Sequence, residues 1–233
     1  MKLLVASRNP KKLRELQRVL DQETNRSGAS ATIELLSLAD VADYPERPEN
    51  GRTFHDNALI KATDGARATG LPCLADDSGL AIDELGGMPG VLSARWSGSH
   101  GDDDANLELV LKQMADVPEQ RRQAEFVSTC VVVFPGSQEP LSVTGRWPGR
   151  IVTERIGTGG FGYDPIFVPE EEDAKAREAG DSGSSGGGTS EGGAYVARTA
   201  AQLSPEEKDA LSHRGRALRQ LVPLLVQRLE QGE

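Results

Sequence analysis

The feature that most limits what this chain can fold into is its opening. A short apolar run, Leu3-Leu4-Val5-Ala6, gives way through Ser7-Arg8-Asn9-Pro10 to a segment with Leu13, Leu16 and Leu20 on one helical stripe. The first pattern is a buried strand, and the second has the i, i+3, i+7 spacing of one helix face. A buried strand that feeds a helix through a tight loop needs both a sheet and a covering helix layer, the α/β class.

The rest of the chain repeats this alternation. Residues 33–38 read as a strand and 45–51 as a Pro-bounded loop. Residues 53–69 form a well-punctuated helix: Thr53 with Asp56 resembles a capping box, and Gly70 closes it. Residues 72–75 read as a strand, Asp76-Asp77-Ser78-Gly79 as an acidic turn, and 80–82 as extended chain. After an irregular loop at 86–90, a helix is expected over 105–114 and a strand over 125–134. Residues 141–147 are its antiparallel partner, joined by the Pro135-Gly136 turn. Residues 157–162 are a loop that leads to strand-like 166–168. Ser204-Pro205-Glu206-Glu207 is a full helix start, with Ser as cap and Pro at the first helical position. A last helix over 214–229 buries Leu218, Leu221, Leu225 and Leu229, with a kink expected at Pro223. Residues 21–32 read as loop.

Composition matters most at 170–198. It begins Glu170-Glu171-Glu172-Asp173 and becomes Gly/Ser-rich, so a mobile insertion is expected there. The formal net charge of -10 disfavours gripping a nucleic acid polymer, where cationic contacts to phosphates supply affinity. It leaves room for a small phosphorylated ligand met by a few converging cations and a divalent metal. Cys73 and Cys130 lie in apolar runs without metal-ligand or disulfide spacing and read as reduced core thiols. The N-terminal apolar run is short for a signal peptide and no run approaches a membrane span. A cytoplasmic protein with no membrane partner is the expectation.

Five places carry candidate chemistry. Ser7, Arg8, Asn9, Pro10, Lys11 and Lys12 lie at a strand-to-helix junction, where backbone N–H groups favour an anion. The same residues fit a solvated turn that caps the helix. Asp76 and Asp77 after a buried strand fit a Mg²⁺ site or a water-activating base, and equally a plain turn. Glu49 is a lone carboxylate near them. Asn57 and Lys61 share a helix face and could enter a phosphate site or face water. Phe161-Gly162-Tyr163-Asp164 offers rings to stack on a base, or two core aromatics in a turn. Lys208 with Ser212-His213-Arg214 could converge on a ligand only if the chain bends between them.

Taken together, these strings resemble one family. They run in order as Ser7-x-Asn9-x-x-Lys12, Glu49-x-Gly51-x-Thr53-Phe54-x-x-Asn57, Ala75-Asp76-Asp77-Ser78-Gly79, Gly159-Gly160-Phe161-Gly162-Tyr163-Asp164-Pro165, and Ser212-His213-Arg214-Gly215. The chain resembles the inosine/xanthosine triphosphate pyrophosphatases. The resemblance implies a two-lobed mixed β-sheet with flanking helices and a central nucleotide-binding cleft, as one catalytic domain over 1–233. It also implies a homodimer, Mg²⁺, and hydrolysis of ITP, dITP and XTP to monophosphate and pyrophosphate. By motif, Asp77 is the proton acceptor and a metal ligand, and Glu49 a second ligand. Ser7 to Lys12, Ser78, Phe161, Gly162, Tyr163, Asp164, Lys208, His213 and Arg214 hold the nucleotide. Gln202 stands where the family usually has Glu. The roles of Asp76, Asn57 and Lys61 stay open. A nucleotide-binding regulator and a phosphatase that releases orthophosphate are the competing readings.

Overall fold

The computed structural model describes residues 1–27, 33–137, 139–182 and 196–230. In chain order its elements are β1 (Lys2–Val5), α1 (Pro10–Ser27), β2 (Glu34–Leu36), α2 (Phe54–Thr69), β3 (Cys73–Ile82), β4 (Met88–Pro89) and α3 (Asp103–Gln113). There follow β5 (Gln123–Val133), β6 (Leu141–Ile151), β7 (Phe167–Pro169), α4 (Glu170–Ser182), α5 (Pro205–Leu211) and α6 (His213–Glu230). The chain divides into two compact units. One is Met1–Gly79 with Val127–Arg146 and Asp209–Glu233, the other Leu80–Phe126 with Trp147–Lys208. The ranges of β3, β5 and β6 each contribute to both.

In the first unit the strand order is β2-β1-β3-β5-β6. β1 runs parallel to β2 and to β3, with Leu4 opposite Cys73. Successive side chains on a strand point to opposite faces, and the core follows that rule. Leu3, Val5, Leu74, Cys130 and Val132 pack with Leu16 and Val19 of α1 and with Leu218, Leu221 and Leu225 of α6. Leu4, Ala6, Cys73, Ala75 and Val131 pack with Ala58, Ala62 and Ala66 of α2. A Cβ on Gly145 of β6 would lie 2.0 Å from the His213 carbonyl oxygen and 2.5 Å from the Ala217 nitrogen. The α6 backbone therefore rests directly on β6, which fixes where its first residues, His213 and Arg214, stand.

In the second unit β4 pairs antiparallel with β3, and β7 with β6. Phe126, Trp147 and Phe167 form its aromatic centre, with ring centroids 4.7–6.3 Å apart. The buried Arg122 guanidinium donates to the carbonyls of Met114, Val117, Ile151 and Val152 at 2.7–3.0 Å. It thereby ties strand ends to the chain after α3.

Helix α2 begins and ends as its sequence predicts. The Thr53–Asp56 capping box is formed and Gly70 closes the helix in the left-handed region. Three expectations change. First, α1 runs on to Ser27 through the first part of the expected loop. No Gly or Pro stops it, Val19 and Leu20 are buried, and Gln17 bonds Asp21 one turn on. Second, the acidic turn is no turn: Asp76 to Gly79 lie inside one continuous strand. Third, Glu170–Ser182 is a helix. Its four leading acids suit the positive end of a helix, and three of them are bound. Glu171 accepts from the Trp147 indole, Asp173 pairs with Arg150, and the buried Glu172 pairs with Lys175 and Arg198. Residues 183–195, most of the Gly/Ser-rich stretch, lie outside the described residues, as do 28–32. Helix α6 continues through Pro223. Leu218, Leu221 and Leu225 are buried as expected, and the Leu229 side chain is outside those described. Among the described residues no helix is long and apolar enough to cross a membrane.

Candidate active site

Strand alternation decides the chemistry at Asp76 and Asp77. Asp76 and Ser78 share the face that packs on α1 and α6, and Asp77 shares the face of Cys73 and Ala75, against α2. The two carboxylates therefore meet different partners. Asp76 Oδ2 takes Lys12 Nζ at 3.0 Å, Ser78 Oγ at 3.3 Å and Arg214 Nε at 3.4 Å. Its Oδ1 accepts a short bond from the Ser128 hydroxyl of β5. Burial would raise the Asp76 pKa, but Lys12, Arg214 and Ser128 outweigh it and hold the carboxyl far below the ordinary carboxylate range.

Asp77 is held more sparingly. Its Oδ2 accepts from the Asn57 amide at 3.2 Å and its Oδ1 from Lys61 Nζ at 3.2 Å. Burial lifts its pKa above the ordinary value, Glu49 and Asp76 add to the rise, and Lys61 and Lys12 offset only part of it. Burial works against the Lys61 ammonium, yet Asp77, Glu49 and Asp76 leave its pKa raised. Asn57 also accepts from the Gly51 N–H at 2.8 Å, which fixes the loop carrying Glu49. Glu49 Oε2 lies 3.1 Å from Lys61 Nζ.

The Ser7–Lys12 segment divides. Asn9 Oδ1 caps α1, accepting from the N–H groups of Lys11 and Lys12, and Ser7 Oγ accepts from the Asn9 N–H. Pro10 is the first helical residue and Lys11 is exposed. Lys12 reaches the carboxylate cluster, whereas Arg8 pairs with Glu46. At α6, Ser212 Oγ accepts from the Gly215 N–H, and His213 is buried. The buried Arg214 guanidinium is shared among Asp76, Ser78 and Glu15.

In the second unit a further predicted group comes together. Asp164 Oδ2 accepts from the Phe161 N–H at 2.8 Å and pairs with Lys208 Nζ at 2.7 Å. Lys208 Nζ also lies 4.7 Å from the Phe161 ring centroid, a cation–π contact. The Gly162 N–H donates to Asp103. Tyr163 is a core residue: it is buried, and its hydroxyl donates to the Ser93 carbonyl. Gln202 caps a short turn by accepting from the Thr199 N–H, a role that needs no charge.

The sequence reading missed Ser128, gave Glu15 no role, and left Asn57 and Lys61 open. Ser128 left a faint trace, a hydroxyl pair, Ser128-Thr129, set between the apolar Phe126-Val127 and Cys130-Val131-Val132-Val133 of β5. Glu15 stands three residues after Lys12, hence on the same helix face.

Comparison with known proteins decides the family, since the Ham1 family model matches residues 3–183 and 193–224. The chain belongs to the Ham1 family. A relative from Nocardia farcinica named dITP/XTP pyrophosphatase is 54% identical over 224 residues, covering 96% of this chain and 94% of that protein. The crystal structure of a nucleoside-triphosphatase / dITP/XTP pyrophosphatase from Mycobacterium abscessus superposes with a TM-score of 0.69. It is 54% identical and covers 96% of this chain and 100% of that one. A HAM1 protein from Coxiella burnetii gives a TM-score of 0.76 at 35% identity, over 97% and 99% of the two chains. The Ham1 model leaves 184–192, within the Gly/Ser-rich stretch, unmatched inside that range.

Proposed function

We propose that this Ham1 protein hydrolyses non-standard purine nucleoside triphosphates, dITP, ITP and XTP, to the monophosphate and pyrophosphate. The observation that carries the reading is the splitting of two adjacent carboxylates. Asp76 is saturated and held ionised, while Asp77 is held loosely and its pKa is raised. Environments that push neighbouring acids apart mark out which one can exchange protons.

Among the described residues no three His, Cys, Asp or Glu side chains gather into a metal cage. Two carboxylates nonetheless face one cation, since Glu49 and Asp77 both contact Lys61 Nζ. Mg²⁺ commonly takes one or two carboxylates and completes its shell with waters and substrate phosphates. Asp77 and Glu49 fit that demand and would hold the ion. Bound there, it would supply charge neutralisation at phosphate oxygens.

Asp77 accepts a proton from the water that attacks the α-phosphorus, and the bond from that phosphorus to the bridging oxygen breaks to release pyrophosphate. Asn57 orients the Asp77 carboxyl. Lys12 and Lys61 meet charge on the phosphates, with Ser7, Arg8, Asn9, Pro10 and Lys11 at the adjoining helix start. Phe161 offers its ring to the base, with Gly162, Asp164 and Lys208 beside it, and the buried Tyr163 holds that turn through the Ser93 carbonyl. Ser78, His213 and Arg214 are nucleotide contacts by the resemblance. Hypoxanthine and xanthine present an acceptor at the 6-position where adenine presents a donor. An unpaired buried donor costs about 1–3 kcal/mol, roughly 5- to 150-fold in kcat/KM. The reading includes the homodimer implied by the resemblance.

Incubation with dITP and Mg²⁺, with identification of the phosphate released, tests the reaction. Pyrophosphate is expected. Orthophosphate would favour the phosphatase reading, and no release a binding role. A kcat/KM ratio for dITP over dATP near one would refute the specificity.

A further inference from the structure

The Lys61 ammonium stands where the two proposed metal ligands converge. Its Nζ lies 3.1 Å from Glu49 Oε2, 3.2 Å from Asp77 Oδ1 and 3.1 Å from the Asp76 carbonyl oxygen. One oxygen comes from the loop before α2 and two from β3, so separate parts of the first unit aim at one charge. The cradle is not sealed: the Glu49 side chain is 38% exposed and that of Lys61 17%. A hard dication seeks the same donors, carboxylate and carbonyl oxygens. Both carboxylates cannot close on a dication while an ammonium stays between them, because like charges repel strongly where water is scarce.

We propose that Lys61 is the resident counter-ion of this cradle. It holds Glu49 and Asp77 in place in the metal-free protein, and a divalent metal must displace it to bind. The side chain is suited to both states, a compact charge on a flexible four-carbon stem. Once displaced, the ammonium can pair with an anionic oxygen of substrate, so metal loading and presentation of a cation are one event. The inference rests on the hydrolase reading of this site.

Calorimetric titration of the full chain with Mg²⁺, without nucleotide, tests it. Lys61→Met and Lys61→Gln should bind Mg²⁺ roughly tenfold more tightly than wild type, since the competing cation is gone. Their metal-free thermal midpoints should fall and recover on adding Mg²⁺. Lys61→Arg keeps the charge and should bind Mg²⁺ close to wild type. Were Lys61 only a structural support, its removal would loosen the carboxylates and weaken Mg²⁺ binding. Weaker, unchanged or undetectable binding by the neutral variants therefore overturns the proposal. Neutral variants that fold only with Mg²⁺ support it, and variants that fold in neither condition overturn it. Pyrophosphate release from dITP by the wild type is measured alongside. Its absence refutes the hydrolase reading, whereas an active wild type with no gain in Mg²⁺ affinity in Lys61→Met overturns this inference alone.

Discussion

The two faces of β3 at Asp76 and Asp77 differ more than their adjacency in sequence suggests. On one face a buried carboxylate is compensated by a lysine, an arginine and two hydroxyls. On the other, a carboxylate of similar burial has one amide and one lysine that it shares with Glu49. The backbone is the same, and the difference comes from what packs on each side. The first face positions Lys12 and Arg214, and the second leaves Asp77 with fewer partners, which is the basis of its proposed proton and metal role. A turn at this place would not have separated the pair, whereas a strand separates them by its period of two.

The comparison breaks most visibly at Asp77. Asp77→Asn keeps the shape and the Asn57 contact but removes the base, so kcat should fall at least about a thousandfold. The thermal midpoint should stay within about 4 °C of wild type. Near-wild-type turnover would sink the assignment. Asp76→Asn should do the reverse, acting first on stability. It leaves Lys12 and the buried Arg214 facing a neutral amide, and breaking such a buried pair costs about 3 kcal/mol or more. The expected fall in Tm is roughly 6–12 °C. The sign with pH follows from the depressed Asp76 pKa. Its stabilisation is fully present above the ordinary 3.8 and is lost as pH falls through the folded value. Melting curves of wild type and Asp76→Asn should therefore converge in acid. Equal effects of the two Asn substitutions on Tm would show that the faces are not distinct.

What could be read in the sequence was whatever neighbours decide. Helix α2 is bounded by Thr53, Asp56 and Gly70, all local, and the Ser204–Glu207 start of α5 is likewise local. What stayed hidden was decided from afar. Asp76 remains in a strand because Ser128, 52 residues on, and Arg214, 138 residues on, compensate its charge. Without them two adjacent carboxylates read as a turn. The acidic run at Glu170 read as the start of an insertion because its partners, Trp147, Arg150 and Arg198, lie on other segments. The Ham1 strings supplied Asp77 and Glu49 as candidates, but neither periodicity nor composition could say which of the two aspartates was already spent.

The mildest test of the comparison is Ser128→Ala. It removes the β5 hydroxyl that donates to the Asp76 carboxylate and leaves Lys12 and Arg214 in place. A hydrogen bond to a charged group contributes about 1.5–3 kcal/mol. The cations can still hold Asp76 ionised, so the lower end is expected, a fall in Tm of about 3–6 °C. Asp76 contacts Lys12 and Arg214, and the proposed reaction gives the proton to Asp77, so KM should rise a few-fold with kcat nearly unchanged. Ser128→Cys, a weaker donor of similar shape, should fall between the two. A loss in kcat as large as that of Asp77→Asn would mean that Asp76 takes part in the chemistry and that the two faces of β3 work as one.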